Sequence, residues 1–236
     1  MARVLPPLTT TSARLAVGIV VASIAWALTR NGLGAWLLLS PRAVLQHGAV
    51  WQVATYALLA TDPLGVMFSA FLTWTMGGWL EGRWGKRRML VFSLGTTVLA
   101  GVLTVGVSWF WSAVAVSTFD GARVLTSVLW VTYGLSLRRN QVSFFGLPMT
   151  GEQFALLGVA WAVLTGIFGS WVAIVPEGFA LGLSYLFNLN GALNPKTLWL
   201  RMHGAWIERR MRARGKHLRL LDNKRNTSRD SDRYLH

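Results

Sequence analysis

Few residues in this chain have both the type and the position that chemistry needs. It has no cysteine, which excludes thiolate catalysis, disulfides and cysteine-based metal sites. Its four histidines, His47, His203, His217 and His236, all fall outside the apolar segments. A serine is a weak nucleophile until a neighbouring base takes its proton. Ser117 has no histidine, and no lysine inside an apolar segment, to do this. Two carboxylates can share a proton because their repulsion splits their pKa values. The acids available for such a pair are Asp62 and Asp120, with Glu177 nearby in the pattern. Asp62 stands immediately before Pro63, which reads more simply as an N-cap with proline at the first helical position. Asp120 lies three residues before Arg123, on one helix face, so an ion pair is expected, with Asp120 also capping the helix that follows. A polar binding spot at Asp120 is the functional alternative. "GLSLRRN" and "GTTVLAG" lack phosphate-loop spacing, so nucleotide binding finds no support. No cofactor and no metal site are expected.

The elements that carry these residues are apolar. Hydrophobic residues make up 53% of the chain and charged residues 14%, where a soluble domain has about a quarter charged. The 13 tryptophans suit side chains placed at bilayer interfaces. Six apolar segments, 15–29, 64–80, 90–111, 121–137, 154–175 and 179–193, approach the ~20 residues needed to cross a bilayer. The second, fourth and sixth are short, and must extend into flanking residues or be buried among neighbours. The expected class is an all-α membrane protein. Residues 1–14 form an N-terminus, 15–193 a six-helix membrane domain with an outer interfacial loop at 30–63, and 194–236 a basic tail. The first helix is expected to be retained, because Ala22-Ser23 lies in the middle of its apolar run.

Loop charge orients the spans. "EGRWGKRR" supplies Arg83, Lys86, Arg87 and Arg88 between the second and third segments, and Arg138 and Arg139 follow the fourth. Six spans put these loops and both termini on one side, which the positive-inside rule makes cytoplasmic. A bacterial inner membrane is the expected location. In the tail, Leu198, Met202, Trp206 and Met211 recur at roughly helical spacing. Arg201, Arg209, Arg210, Arg212, Arg214, Lys216 and Arg219 fill the positions between. Such a basic amphipathic stretch is expected to meet anionic lipid headgroups, or to serve as a solvated topology determinant. Nucleic acid is not an expected partner.

The stretch from Ser40 to Trp84 carries a family likeness. Gly48, Trp51, Thr55-Tyr56, Asp62-Pro63-Leu64, Phe68, Gly78, Leu80-Glu81 and Trp84-Gly85 resemble the rhomboid superfamily of intramembrane serine proteases. The Trp51-Gln52 pair resembles a Trp-Arg signature of that family's first loop, with Gln in place of Arg. The resemblance implies a six-helix rhomboid-like bundle. It also implies a serine nucleophile opening the fourth helix, a histidine base in the sixth, and His, His and Asn on the second to bind an oxyanion. Ala60, Gly65 and Ser69 stand at the last three positions here. In "TFDGAR", Asp120 stands where the nucleophile would be and Gly121-Ala122 remain. In "VPEGFALG", Val175 replaces the base while Gly178 and Gly182 keep their places. Those glycines, with Gly158, Gly166 and Gly169, are expected to allow close helix packing.

By this resemblance the chain is expected to be a pseudoprotease, not an enzyme. Inactive relatives such as derlins and inactive rhomboids imply binding of other proteins' transmembrane segments, for retention, escort or quality control. Asp120 and Arg123 are the residues expected to meet such a client, or simply each other. The rival expectations are a structural subunit of a larger membrane complex, and a residual hydrolase using Ser117, Ser69 or Asp120.

Overall fold

The computed structural model describes residues 6–138, 140–144 and 147–193. The basic tail and Arg139 therefore lie outside the described residues. By internal contacts the chain divides into units Met1–Asn188 and Leu189–His236, and the packing below is that of the first.

All six apolar segments fold as helices. They are α1 (Thr11–Thr29), α4 (Pro63–Trp84), α5 (Lys86–Val107), α7 (Ala122–Leu137), α8 (Gly151–Phe168) and α9 (Ile174–Leu193). Short helices α2 (Pro41–His47), α3 (Gln52–Thr55) and α6 (Ser112–Val116) lie in the connections. Among the described residues three helices, α1, α5 and α8, are long and apolar enough to cross a membrane. A fourth candidate joins 52–58 to α4 through an 85° bend. The second and sixth segments lengthen into their flanks, to 22 and 20 residues. The fourth does not. At 16 residues α7 is about 24 Å long, short of the ~30 Å hydrocarbon core. It is instead enclosed, with Val124, Leu125, Val128, Leu129, Trp130 and Val131 all buried.

Local chemistry starts and stops these helices. Asp62 accepts the Gly65 amide at 2.6 Å as N-cap of α4, with Pro63 at the first helical position. The expected cap is present. Thr150 and Gln153 form a reciprocal capping box on α8. The start of α1 is capped from another helix. Both carboxylate oxygens of Glu81 on α4 accept amides of α1, from Thr11 at 3.0 Å and Ser12 at 2.8 Å. These two amides have no intrahelical acceptor, so Glu81 fixes where α1 begins against α4.

The 30–63 loop is folded, as expected. Gln52 is buried and accepts the Ser40 amide at 3.0 Å, and Thr55 donates to the Leu37 carbonyl at 2.9 Å. Leu39 and Phe119 exchange backbone hydrogen bonds at 3.0 and 2.8 Å, which ties this loop to the turn before α7.

The fold is mostly helical, as expected of an all-α membrane protein, with one small addition: Gln141–Phe144 (β1) and Leu147–Thr150 (β2) form an antiparallel hairpin between α7 and α8. Val142 of β1 is buried in a cluster with Trp130 and Phe154, which anchors the hairpin. The packing glycines also divide. A side chain at Gly158 would meet Trp130, and one at Gly166 would collide with Ile174. A Cβ at Gly178 or Gly182 would meet nothing within 4 Å among the described residues, so no close contact there requires glycine.

Candidate functional site

A cavity of about 560 Å³ opens beside the start of α4. Its floor is the N-terminal half of α7, with Arg123, Thr126, Ser127 and Trp130. One wall is α4, with Gly65, Phe68 and Ser69; the other is α8, with Trp161 and Thr165. Phe68 crosses between the walls, its ring 5.9 Å from that of Trp130 and 5.8 Å from that of Trp161. The outer face of α4 continues the apolar surface, since Leu64, Met67 and Phe71 are all exposed.

The cavity gathers four of the five positions that the rhomboid resemblance marked. Ala60, Gly65, Ser69 and Asp120 all line it. Two of these, Ala60 and Gly65, offer no side-chain donor. Val175 is not part of it. That residue packs against the cluster of Leu39, Tyr56, Val105, Val114 and Phe119. The 3-10 turn Trp171–Ala173 precedes α9, and the α9 residue that reaches a cavity-lining side chain is Glu177. Glu177 is 1% exposed and accepts a hydrogen bond from the Ser127 hydroxyl at the cavity floor.

Asp120 holds the mouth together. One oxygen accepts both the Thr61 amide and the Thr61 hydroxyl at 3.1 Å; the other lies 3.5 Å from an Arg123 guanidinium nitrogen. The expected ion pair is present. The expected cap is not, because α7 begins at Ala122 with Gly121 as N-cap and no side chain bonded to its amides. Asp120 ties the loop before α4 instead. Arg123 is also within electrostatic reach of Glu177, and its Nε is buried without a hydrogen-bond partner. The site is thus one arginine between two carboxylates, set in an apolar wall.

The other candidates lie elsewhere. The Ser117 hydroxyl donates to the Ala113 carbonyl at 2.7 Å. His47 is exposed at the end of α2, in edge contact with Trp36. His203, His217 and His236 lie outside the described residues. Asp62 and Asp120 both line the cavity, but each carboxylate takes its own donors. Sequence reasoning missed the Ser127–Glu177 pair, for which the one signal was an acid flanked by apolar residues.

Tyr56 explains why a glycine persists beside Asp120. The Tyr56 carbonyl accepts the Gly121 amide at 2.9 Å, and the ring lies directly over Gly121. Its hydroxyl donates to the Thr97 carbonyl in α5. The glycine has a packing role that needs no catalytic serine beside it.

Residues 13–188 match the family model described as Eukaryotic integral membrane protein (DUF1751). The chain belongs to that family and is an integral membrane protein. It is similar to proteins named Rhomboid protease GlpG. It is 24% identical over 140 residues to those of Yersinia pseudotuberculosis serotype I and Yersinia pestis, covering 55% of this chain and 48% of theirs. To that of Yersinia enterocolitica serotype O:8 it is 23% identical over 145 residues, covering 57% and 50%. The chain spans about half the length of these curated relatives. Together these similarities relate it to the rhomboid superfamily.

Proposed function

We propose that this protein binds transmembrane segments of other membrane proteins at the α4–α7–α8 cavity and does not cut them. The observation that carries the reading is the replacement chemistry of the cavity. Where a rhomboid-type protease would carry a nucleophile, Asp120 is held by Thr61 and Arg123. Ala60 and Gly65 cannot donate to an oxyanion, a task that requires donors already in place. The cavity keeps the features of a binding site: apolar walls with a few convergent polar groups. Charged groups at membrane depth are costly unless paired or functional. A client's polar side chain could exchange bonds with Asp120 or Arg123. The six-span arrangement with both termini cytoplasmic follows from the basic loops, and the short α7 would favour a locally thinned bilayer. The family is described as eukaryotic and the GlpG relatives are bacterial; a location in a bacterial inner membrane follows the latter.

The Ser127–Glu177 hydrogen bond favours a second reading, a residual hydrolase with a carboxylate as base. One experiment separates them. A photo-crosslinking residue is placed at Met67, and crosslinked partners in native membranes are identified by mass spectrometry. Intact, unrelated single-span proteins support client binding. One partner at constant ratio sinks it in favour of a fixed subunit. Cleaved partners that become intact in Ser127→Ala or Asp120→Ala sink it in favour of a protease.

A further inference from the structure

The far end of α4, about 20 Å along the helix beyond Phe71 at the cavity's edge, presents a second recess. It is open, about 650 Å³, and lies where α4 turns into α5. Gly85 makes the turn alone, with φ +83° and ψ 153°, a backbone conformation that side-chain-bearing residues rarely adopt. Helix α5 therefore starts abruptly with Lys86, Arg87 and Arg88, which line the recess. Its first turn holds no acid, and no side chain caps it. Three cations then sit on the positive end of a 22-residue helix, where the dipole disfavours them.

Nothing described in the protein relieves this. The nearest acid, Glu81, is engaged with the amides of Thr11 and Ser12. Among the described residues the ion pairs are Arg123–Asp120 and Arg138–Glu152, so Lys86 and Arg87 are without one. Arg88 turns to aromatic faces, its guanidinium 5.5 Å from the Trp84 ring and 5.8 Å from that of Phe187. These rings pack with Phe92 and form an apolar wall under the cations.

We infer that the recess formed by Lys86, Arg87 and Arg88 over Trp84, Phe92 and Phe187 binds one anionic phospholipid. Its phosphate sits at the uncapped start of α5, and an acyl chain lies along the aromatic wall. The charge selects an anion. The wall selects a lipid over free phosphate, because a small anion would leave it exposed. The observations are independent of the client cavity.

The test uses the full chain in phosphatidylcholine nanodiscs with a trace of phosphatidylglycerol carrying a photoactivatable acyl chain. Labelling is mapped by peptide mass spectrometry. The expected result is labelling of residues 84–92 and 187, displaced by unlabelled phosphatidylglycerol and not by inorganic phosphate. Lys86→Gln with Arg87→Gln should weaken it about 30-fold, at about fivefold per basic group. The exchange Lys86→Arg with Arg87→Lys keeps both charges and should keep the label. Arg209→Gln with Arg210→Gln, in the basic tail, should leave this labelling unchanged. Labelling that survives the glutamine pair, that inorganic phosphate displaces equally well, that fails in the charge-preserving exchange, or that is absent from 84–92 and 187 would overturn the inference.

Discussion

The slot around Tyr56 gives the sharpest test of the packing account. Its ring is fully buried between α5 and the turn before α7. A Cβ at Gly121 would lie 2.7 Å from two ring carbons and 2.8 Å from the Tyr56 carbonyl oxygen. A Cβ at Gly101 would lie 2.9–3.0 Å from the other edge of the ring and its hydroxyl. Both substitutions overpack, but the obstacles differ. At Gly101 only the side chain is in the way, and alanine regains about 1 kcal/mol of helix propensity within α5. At Gly121 a backbone oxygen also blocks, and the residue is an N-cap with no propensity to regain. Overpacking costs about 1–3 kcal/mol. Gly121→Ala is therefore expected to cost about 3 kcal/mol and Gly101→Ala about 1 kcal/mol net. Tyr56→Ala alone should cost about 4 kcal/mol. In that background Gly101→Ala should become neutral or stabilising, a coupling of about 1–2 kcal/mol. Gly121→Ala should be relieved only partly, because the carbonyl remains. Reversible unfolding in mixed detergent micelles, followed by tryptophan fluorescence, measures all five variants. Additivity within ~0.5 kcal/mol for both pairs would refute the slot, and with it the packing role of Gly121.

Removing the cross-helix cap should loosen α1. Glu81→Ala is expected to cost about 2 kcal/mol, from two charge-assisted hydrogen bonds in a half-buried setting, and Glu81→Gln about half of that. Hydrogen exchange at the Thr11 and Ser12 amides should rise in step, and unchanged protection would contradict the cap. At the cavity mouth, Asp120→Asn keeps an acceptor for Thr61 but loses the ion pair. Arg123 is 37% exposed, so this should cost under about 1 kcal/mol. Asp120→Ala also loses the Thr61 bonds and should cost about 2 kcal/mol, measured by the same unfolding assay. Equal effects of the two substitutions would mean that the Thr61 bonds contribute nothing.

What could be read in the sequence was local. Asp62-Pro63 announced the start of α4, and the Asp120–Arg123 spacing announced their pair. The six apolar runs located the long helices, because burial and lipid exposure both favour continuous apolarity. What could not be read was long-range. Glu81 meets α1 about 70 residues away in sequence, and Glu177 meets Ser127 fifty residues away. No periodicity encodes such pairs. The hairpin was hidden because its strands have four residues each, too short for alternation to show. That Val175 packs on the Leu39–Tyr56–Phe119 cluster and does not line the cavity could not be read either, because a motif match carries no information on which way a helix face turns.

If the cavity takes transmembrane segments as proposed, access to it and selectivity within it are held by different elements. Selectivity rests on Arg123 and Ser127, both on α7, the helix most enclosed by its neighbours. Asp120 and Glu177 reach these residues from outside α7, so the polar cluster joins three parts of the chain. Access rests on Phe68, whose ring contact with Trp161 links the two walls. An aromatic pair of this kind contributes about 0.5–1.5 kcal/mol beyond its buried area. Parting it costs about as much as losing the Asp120–Arg123 ion pair. An apolar helix that replaces the ring contact regains burial against Leu64, Met67 and Phe71, which are already exposed. In lipid, where apolar burial alone offers little net drive, small packing gains and the few polar contacts decide association. On the proposed client-binding reading, a client would be admitted by its shape at Phe68 and retained by a polar group that the Asp120–Arg123–Glu177 cluster can accept.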